Sequence, residues 1–463
     1  MYLNFLLPLM VAFVFVASGC STPQASKTWP KKQPLGSELR SFEPAGLPSM
    51  QSEADQALSE EPKGVITLRD SLALALLKNP RLRAFAWEIR AREAHVLQAG
   101  LLPNPEVSIE IENVEGSGAF KGTDVAETTL QLGQLIELGG KRLKRVKVAN
   151  LERSLAGWDY ETVRIVTLTE VTKTFIDVLA AQERLKLAKE LVNLAERAFS
   201  AASERVSAGK APPIDETKAK VELSVNRIEL GKAEKNLVSA RKHLATFWGS
   251  VKPAFKMAEG ELGLIKTIPS SNQLKNMISQ NPDIARWNSE LDRFRAAVDL
   301  ERAGRVPDLT VAGGVRRFSE TDDSAIVLGV SMPLMIFNRN QGAYQEARFN
   351  LAKALEQQKA EELLVVAKLA DGYRDLSTAY AEAIALKSDV IPGAKEAFET
   401  AREGYLQGKF GYLEVLDAQR VLFETKEKYI DSLAAYHKAS ANVERLIGAS
   451  LDAVSSNDTS DGR

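Results

Sequence analysis

The chain has 463 residues, with 60 Lys and Arg against 61 Asp and Glu, and 44% of its residues are hydrophobic. Balanced charge gives no reason to expect nucleic acid or a polyanionic partner, and the apolar fraction is that of an ordinary folded protein. The single cysteine, Cys20, excludes an intramolecular disulfide.

Residues 1–19 are apolar and end in Ala17-Ser18-Gly19, ahead of Cys20. Their length and small-residue ending read as a signal peptide, although no Lys or Arg precedes the apolar core. Small residues before a cysteine resemble a bacterial lipobox. That resemblance implies cleavage and acylation at Cys20, and Ser21 after it implies sorting to the outer membrane. An uncleaved anchor, or a cysteine buried in a core helix, also fits. Residues 20–64 hold six prolines and no sustained periodicity, so they read as a lipidated, extended tether.

Order is expected to begin at Val65. Thr67 or Asp70 can cap a helix through Leu77. Asn79 before Pro80 favours a break, and a second helix runs from about 81 to 99. The period then changes to two. Val107, Ile109 and Ile111 alternate with Ser108, Glu110 and Glu112, and Leu130 and Leu132 alternate with Thr129 and Gln131. This predicts a hairpin at about 106–136, and a similar one at about 308–334. Tilted strands of eight to ten residues can span a bilayer, but the pattern also fits a soluble sheet with one wet face.

Long helical hairpins are predicted after each strand pair, at about 140–249 and 342–448. The first descending helix has no proline from Leu143 to Ser207. At 1.5 Å per residue it would be roughly 100 Å long. Its return helix carries Leu223, Leu230, Leu237 and Leu244 at heptad spacing. Pro392 is expected to distort the second descending helix.

The chain is written twice. Gly209-Lys210 recurs as Gly408-Lys409, a shift of 408 − 209 = 199, which also carries Leu223 to Leu422 and Gly249 to Gly448. Asn79-Pro80 recurs as Asn281-Pro282. The repeats are placed at 65–260 and 261–450, and residues 451–463 read as a disordered tail. Four strands cannot close a barrel without edges, and unpaired edges are forbidden in lipid. Eight strands give an interior filled by side chains, so an open passage favours three or more copies.

Several motifs together resemble the TolC family of outer-membrane efflux ducts. They include both Asn-Pro pairs, Leu101-Leu102-Pro103-Asn104-Pro105, Glu137-Leu138-Gly139-Gly140-Lys141-Arg142, Gly304-Arg305-Val306-Pro307-Asp308, Phe337-Asn338-Arg339-Asn340-Gln341-Gly342, and Gly408 through Gln419. The Glu-Leu-Gly-Gly-Lys-Arg and Phe-Asn-Arg-Asn-Gln-Gly forms are most similar to the cobalt-zinc-cadmium and copper-silver efflux branch.

The resemblance implies a mixed α/β membrane protein. It would form a homotrimer, with a 12-stranded outer-membrane β-barrel (four strands per chain) continuous with a periplasmic α-helical barrel. Its partners would be a periplasmic adaptor, or membrane fusion protein, an inner-membrane pump of the resistance-nodulation-division (RND) type, and outer-membrane lipid. The tip turns around Gly209, Lys210, Gly408 and Lys409 would dock the adaptor. Glu414 and Asp417 match positions whose carboxylates ring the aperture, although acids in a first turn also favour the helix dipole. Asp215 and Tyr405 match a latch between hairpins. The family's latch arginine falls at Phe410 here. Ser108, Glu110, Glu112, Thr129 and Gln131 would face the lumen.

The expected function is an exit duct for heavy-metal cations. A drug-efflux or type I secretion duct of the same fold is the nearest alternative, and a periplasm-spanning coiled-coil lipoprotein is a further one. His95, His243 and His437 show no ligand spacing, so no metal site and no cofactor are expected. No Ser-His-Asp set, Cys-His pair or phosphate-binding loop suggests an enzyme.

Overall fold

The computed structural model describes residues 32–44 and 61–452. Cys20, the signal peptide, most of the tether and nearly all of the tail lie outside the described residues. In chain order the elements are β1 (Val65–Thr67), α1 (Leu68–Lys78), α2 (Pro80–Gly100), β2 (Glu106–Glu112), β3 (Glu127–Ile136), α3 (Lys141–Ser207) and α4 (Pro213–Thr246). There follow β4 (Met257–Glu259), α5 (Ser271–Asn276), α6 (Pro282–Ala303), β5 (Leu309–Phe318), β6 (Ser324–Ser331), α7 (Gln341–Ala385), α8 (Ile391–Leu406) and α9 (Tyr412–Ile447). One compact unit holds residues 88–157 and 286–358. The other holds the remaining described residues.

The first unit contains an antiparallel sheet of order β2-β3-β5-β6. The register pairs Glu110 with Thr129 and Thr129 with Arg316, so these three share a face. The other face carries Ile109, Leu130, Val315 and Ile326, aligned across all four strands. Those side chains are exposed, with Ile109 at 68% and Ile326 at 71%. An apolar sheet face left uncovered marks a membrane or partner surface rather than a core.

In the second unit β1 pairs with β4 in parallel, a contact of three residues that no periodicity announces. Thr67 caps α1, with Asp70 N–H donating to its hydroxyl at 3.2 Å and its own N–H donating to the Asp70 carboxylate at 3.1 Å. The duplication has a physical counterpart here. Asn79 donates to the Phe247 carbonyl at 2.9 Å, and Asn281 donates to the Leu446 carbonyl at 2.9 Å. The two acceptors are themselves 446 − 247 = 199 residues apart. Each Asn-Pro pair therefore breaks its helix and pins the break to the end of its own repeat's return helix.

The halves differ in their descending helices. α3 runs 67 residues without interruption. Between α7 and α8 lies a π-helical turn, Leu386–Val390. Pro392 sits in the first turn of α8, so the expected distortion takes the form of one widened turn ahead of a residue that lacks an N–H.

Residues 32–44 pack on α3. Arg164 is fully buried and pairs with buried Glu161 at 2.9 Å. Its guanidinium also donates to the carbonyls of Gln33 at 3.1 Å and Leu35 at 2.9 Å. Gln33 N–H returns a bond to Glu161 at 3.0 Å. This part of the expected tether is therefore held in place.

Candidate functional site

The two helical turns begin alike. Gly209 and Gly408 adopt left-handed φ values of 69° and 74°, which an L side chain would strain. Lys210 N–H donates to the Arg205 carbonyl at 2.8 Å, and Lys409 N–H donates to the Gly404 carbonyl at 2.8 Å. These bonds satisfy carbonyls that each helix end would otherwise leave orphaned. They also match at the 199-residue shift.

What differs is the residue that offers the carbonyl. In the first turn it is Arg205. Its guanidinium lies 4.6 Å from the Tyr405 ring centroid and donates to the Leu406 carbonyl at 3.3 Å. A cation from the first hairpin thus holds the second. In the other turn the position is Gly404, and the Phe410 ring occupies the space beside it. A Cβ there would come 2.1 Å from Phe410 Cδ2. Sequence reading noted Phe410 in place of an arginine but missed Arg205. The signal was the mismatch of Arg205 with Gly404 at the repeat shift.

Asp215, Tyr405 and Tyr412 are buried around this contact, with the two phenol rings 5.5 Å apart. No hydrogen bond joins Asp215 to Tyr405, whose hydroxyl has the Arg205 guanidinium beside it, and the Tyr412 hydroxyl is buried without a partner. Burial raises both phenol pKa values; at Tyr405 it outweighs the opposing Arg205 charge, and nearby Asp215 adds to the rise on each. Tyr412 is pushed up to about 12. Both rings therefore stay neutral at physiological pH. A cation over a neutral aromatic face is favourable, most so where water is excluded.

Glu414 and Asp417 point the other way. They are exposed on α9, while Tyr412, Val415, Gln419 and Leu422 face its core. Asp417 pairs with Arg420 at 2.6 Å. It also lines a cavity of about 670 Å³ between α3, α4 and α9, with Leu191, Val225, Leu416 and Phe423.

On the sheet, Ser108, Glu110, Glu112, Thr129 and Gln131 share the polar face. Arg316, which sequence reading did not single out, organises it. Its guanidinium reaches Glu127 at 2.8 Å, Glu112 at 3.0 Å and the Thr129 hydroxyl at 2.9 Å. One arginine thereby ties β2, β3 and β5 together. Among the described residues no group of three or more His, Cys, Asp or Glu side chains is placed to hold a metal ion, and no helix is long and apolar enough to cross a membrane.

Comparison with known proteins agrees with this double architecture. The model of the "Outer membrane efflux protein" family matches residues 72–250 and again 274–449. The chain is 38% identical over 388 residues to the cobalt-zinc-cadmium resistance protein CzcC of Cupriavidus metallidurans, covering 84% of this chain and 91% of that protein. It is 24% identical over 380 residues to the probable outer membrane lipoprotein SilC of Salmonella typhimurium, covering 77% of this chain and 80% of the relative. Among solved structures, the Campylobacter jejuni CmeC outer membrane channel superposes with a TM-score of 0.68 at 17% identity, over 82% of this chain and 85% of that one.

Proposed function

We infer the function from one premise: the chain belongs to the outer membrane efflux protein family. It is an outer-membrane efflux channel of TolC-like fold with a helical periplasmic part. From there the proposal goes further. The chain is the exit duct of a tripartite pump for heavy-metal cations, assembled as a homotrimer with an adaptor and an RND-type inner-membrane pump. The observation that carries the duct is the sheet, with one apolar face, one polar face, and edges at β2 and β6 that have no partner strand among the described residues. In lipid those edges must pair with other copies. Three copies make twelve strands and leave a passage lined by Glu110, Thr129, Gln131 and Arg316.

The metal reading is supported by the relative whose name is cobalt-zinc-cadmium resistance protein, at 38% identity across most of both chains. A duct performs no chemistry on its cargo, so a binding cage is not required. Glu110 and Glu414, which stand outside the Arg316 and Arg420 ion pairs, favour cations by their field. At the tip, Arg205 on Tyr405 beside Asp215 serves as the latch that keeps the passage shut at rest. Lys210 and Lys409, at the two turns, would meet the adaptor. Deleting the gene and scanning tolerance to cobalt, zinc, cadmium, copper and hydrophobic drugs tests the cargo. Loss of metal tolerance alone supports the proposal. Loss of drug tolerance with metal tolerance intact replaces it with a drug duct.

A further inference from the structure

The apolar run of β6 does not stop where the strand stops. Leu328 and Val330 are followed by Met332, Leu334, Ile336 and Phe337, and Leu334 and Phe337 are 76% and 90% exposed. Next comes α7, whose first turns carry Tyr344 and Arg348. Arg302 at the end of α6 and Arg305 just beyond it converge on the same phenol. The guanidinium carbons of Arg302, Arg305 and Arg348 lie 5.9, 5.6 and 5.9 Å from the Tyr344 ring centroid. A hydrogen bond from Arg302 holds the Tyr344 pKa below the usual tyrosine value. Arg302 has Asp299 at 3.8 Å, while among the described residues Arg305 and Arg348 have no carboxylate partner. Three exposed cations are thus gathered on one half-buried ring, with Asp299 the one acid paired to any of them among the described residues.

We propose that Arg302, Arg305 and Arg348, assembled on Tyr344, bind the phosphate of an anionic phospholipid headgroup in the leaflet that Leu334 and Phe337 enter. The proposal rests on the reading of the sheet as bilayer-spanning. Chain order carries it: an apolar strand, an apolar connector and then a basic cluster follow the order of acyl region, boundary and headgroups. Guanidinium forks match phosphate oxygens in pairs. Exposed aromatic and apolar side chains beside basic ones are the composition of a membrane boundary. Three positive charges select a net-negative headgroup over a zwitterionic one.

The test uses the full-length protein purified in detergent and titrated with phosphatidylglycerol, phosphatidylethanolamine or inorganic phosphate, with bound species counted by native mass spectrometry. The triple variant Arg302→Gln, Arg305→Gln, Arg348→Gln is expected to bind phosphatidylglycerol roughly a hundredfold more weakly, from about fivefold for each cation removed. Should the triple variant fail to fold, Arg305→Gln and Arg348→Gln singly each predict about a fivefold loss. Undiminished phosphatidylglycerol binding in folded variants overturns the site. So does competition by inorganic phosphate at matched concentration, which would make it a free-phosphate site. Conductance of the wild-type protein in planar bilayers is recorded alongside. A conducting protein with lipid binding unchanged by the substitutions ends this proposal alone, whereas a non-conducting protein ends the duct reading.

Discussion

Asp308 stands 2.8 Å from the ammonium of Lys141 and accepts a hydrogen bond from Leu138 N–H at 3.0 Å. The two ends of this contact come from the Glu-Leu-Gly-Gly-Lys-Arg and Gly-Arg-Val-Pro-Asp segments, one from each repeat. The contact closes the junction between β3, α3 and the start of β5. Burial would raise the Asp308 pKa, but the hydrogen bonds from Lys141 and Leu138, with the charges of Lys141 and Arg145, outweigh it and hold it below the usual carboxylate value.

A depressed folded-state pKa means that the stabilisation is complete above the unfolded value of about 3.9 and is lost as pH falls through the folded one. Asp308→Asn should therefore cost about 1–2 kcal/mol at neutral pH. Thermal melts at pH 7 and near pH 3 check this. The gap between variant and wild type should shrink at the lower pH, and equal melting at pH 7 would contradict the contact's role.

At the second turn, Gly404 leaves room for Phe410. Gly404→Ala should displace the ring and cost about 1–3 kcal/mol. Adding Phe410→Ala should recover much of that loss, because the clash disappears with the ring. A double-mutant cycle by hydrogen exchange over residues 400–415 reads it. Additive losses would mean that the two residues are not coupled.

Arg205 and Tyr405 divide the latch into two parts that can be separated. The Tyr405 hydroxyl makes no hydrogen bond to Asp215 and the Arg205 guanidinium lies over its ring, so Tyr405→Phe, which keeps the ring, should leave resting conductance nearly unchanged. Arg205→Ala removes the cation from the ring and should raise it, since about 1 kcal/mol of lost contact is roughly fivefold in open population. Single-channel recording in planar bilayers distinguishes the two. A leak from Tyr405→Phe as large as that from Arg205→Ala would return the latch to the phenol.

Arg164 holds residues 33–36 through a fully buried ion pair with Glu161. Removing one partner leaves the other charge buried and uncompensated, so Arg164→Ala should cost about 3–5 kcal/mol. It should also release residues 32–44 to protease. Replacing both, Arg164→Met with Glu161→Leu, should restore stability while leaving the segment cleavable. Protection of residues 32–44 in the double variant would show that other contacts hold them.

Much of this was legible in the sequence because periodicity reports faces. The two hairpins, the polar strand positions, the long helices and the 199-residue repeat all follow from spacing. Partners do not. β1 and β4 are three residues each, too short to show a period. Arg164 reads as one more charge on a long helix, and nothing in residues 32–44 announces that it is buried beneath them. Arg316 was visible as a polar alternate on β5, but its bond to β2 requires the register. At the tip the duplication was the usable signal. Where Arg205 stands in register with Gly404, and Ala211 with Phe410, the repeats part company, and the structure sets Arg205 on Tyr405 and Phe410 against Gly404.

The central claim is that this chain forms an oligomeric duct across the outer membrane. The most direct measurement is ion conductance of the purified full-length protein in planar bilayers, with its oligomeric state fixed by mass in the same preparation. A trimer that conducts and prefers cations, with Arg205→Ala raising the resting current, is the predicted result. A monomer that inserts without conducting would contradict it.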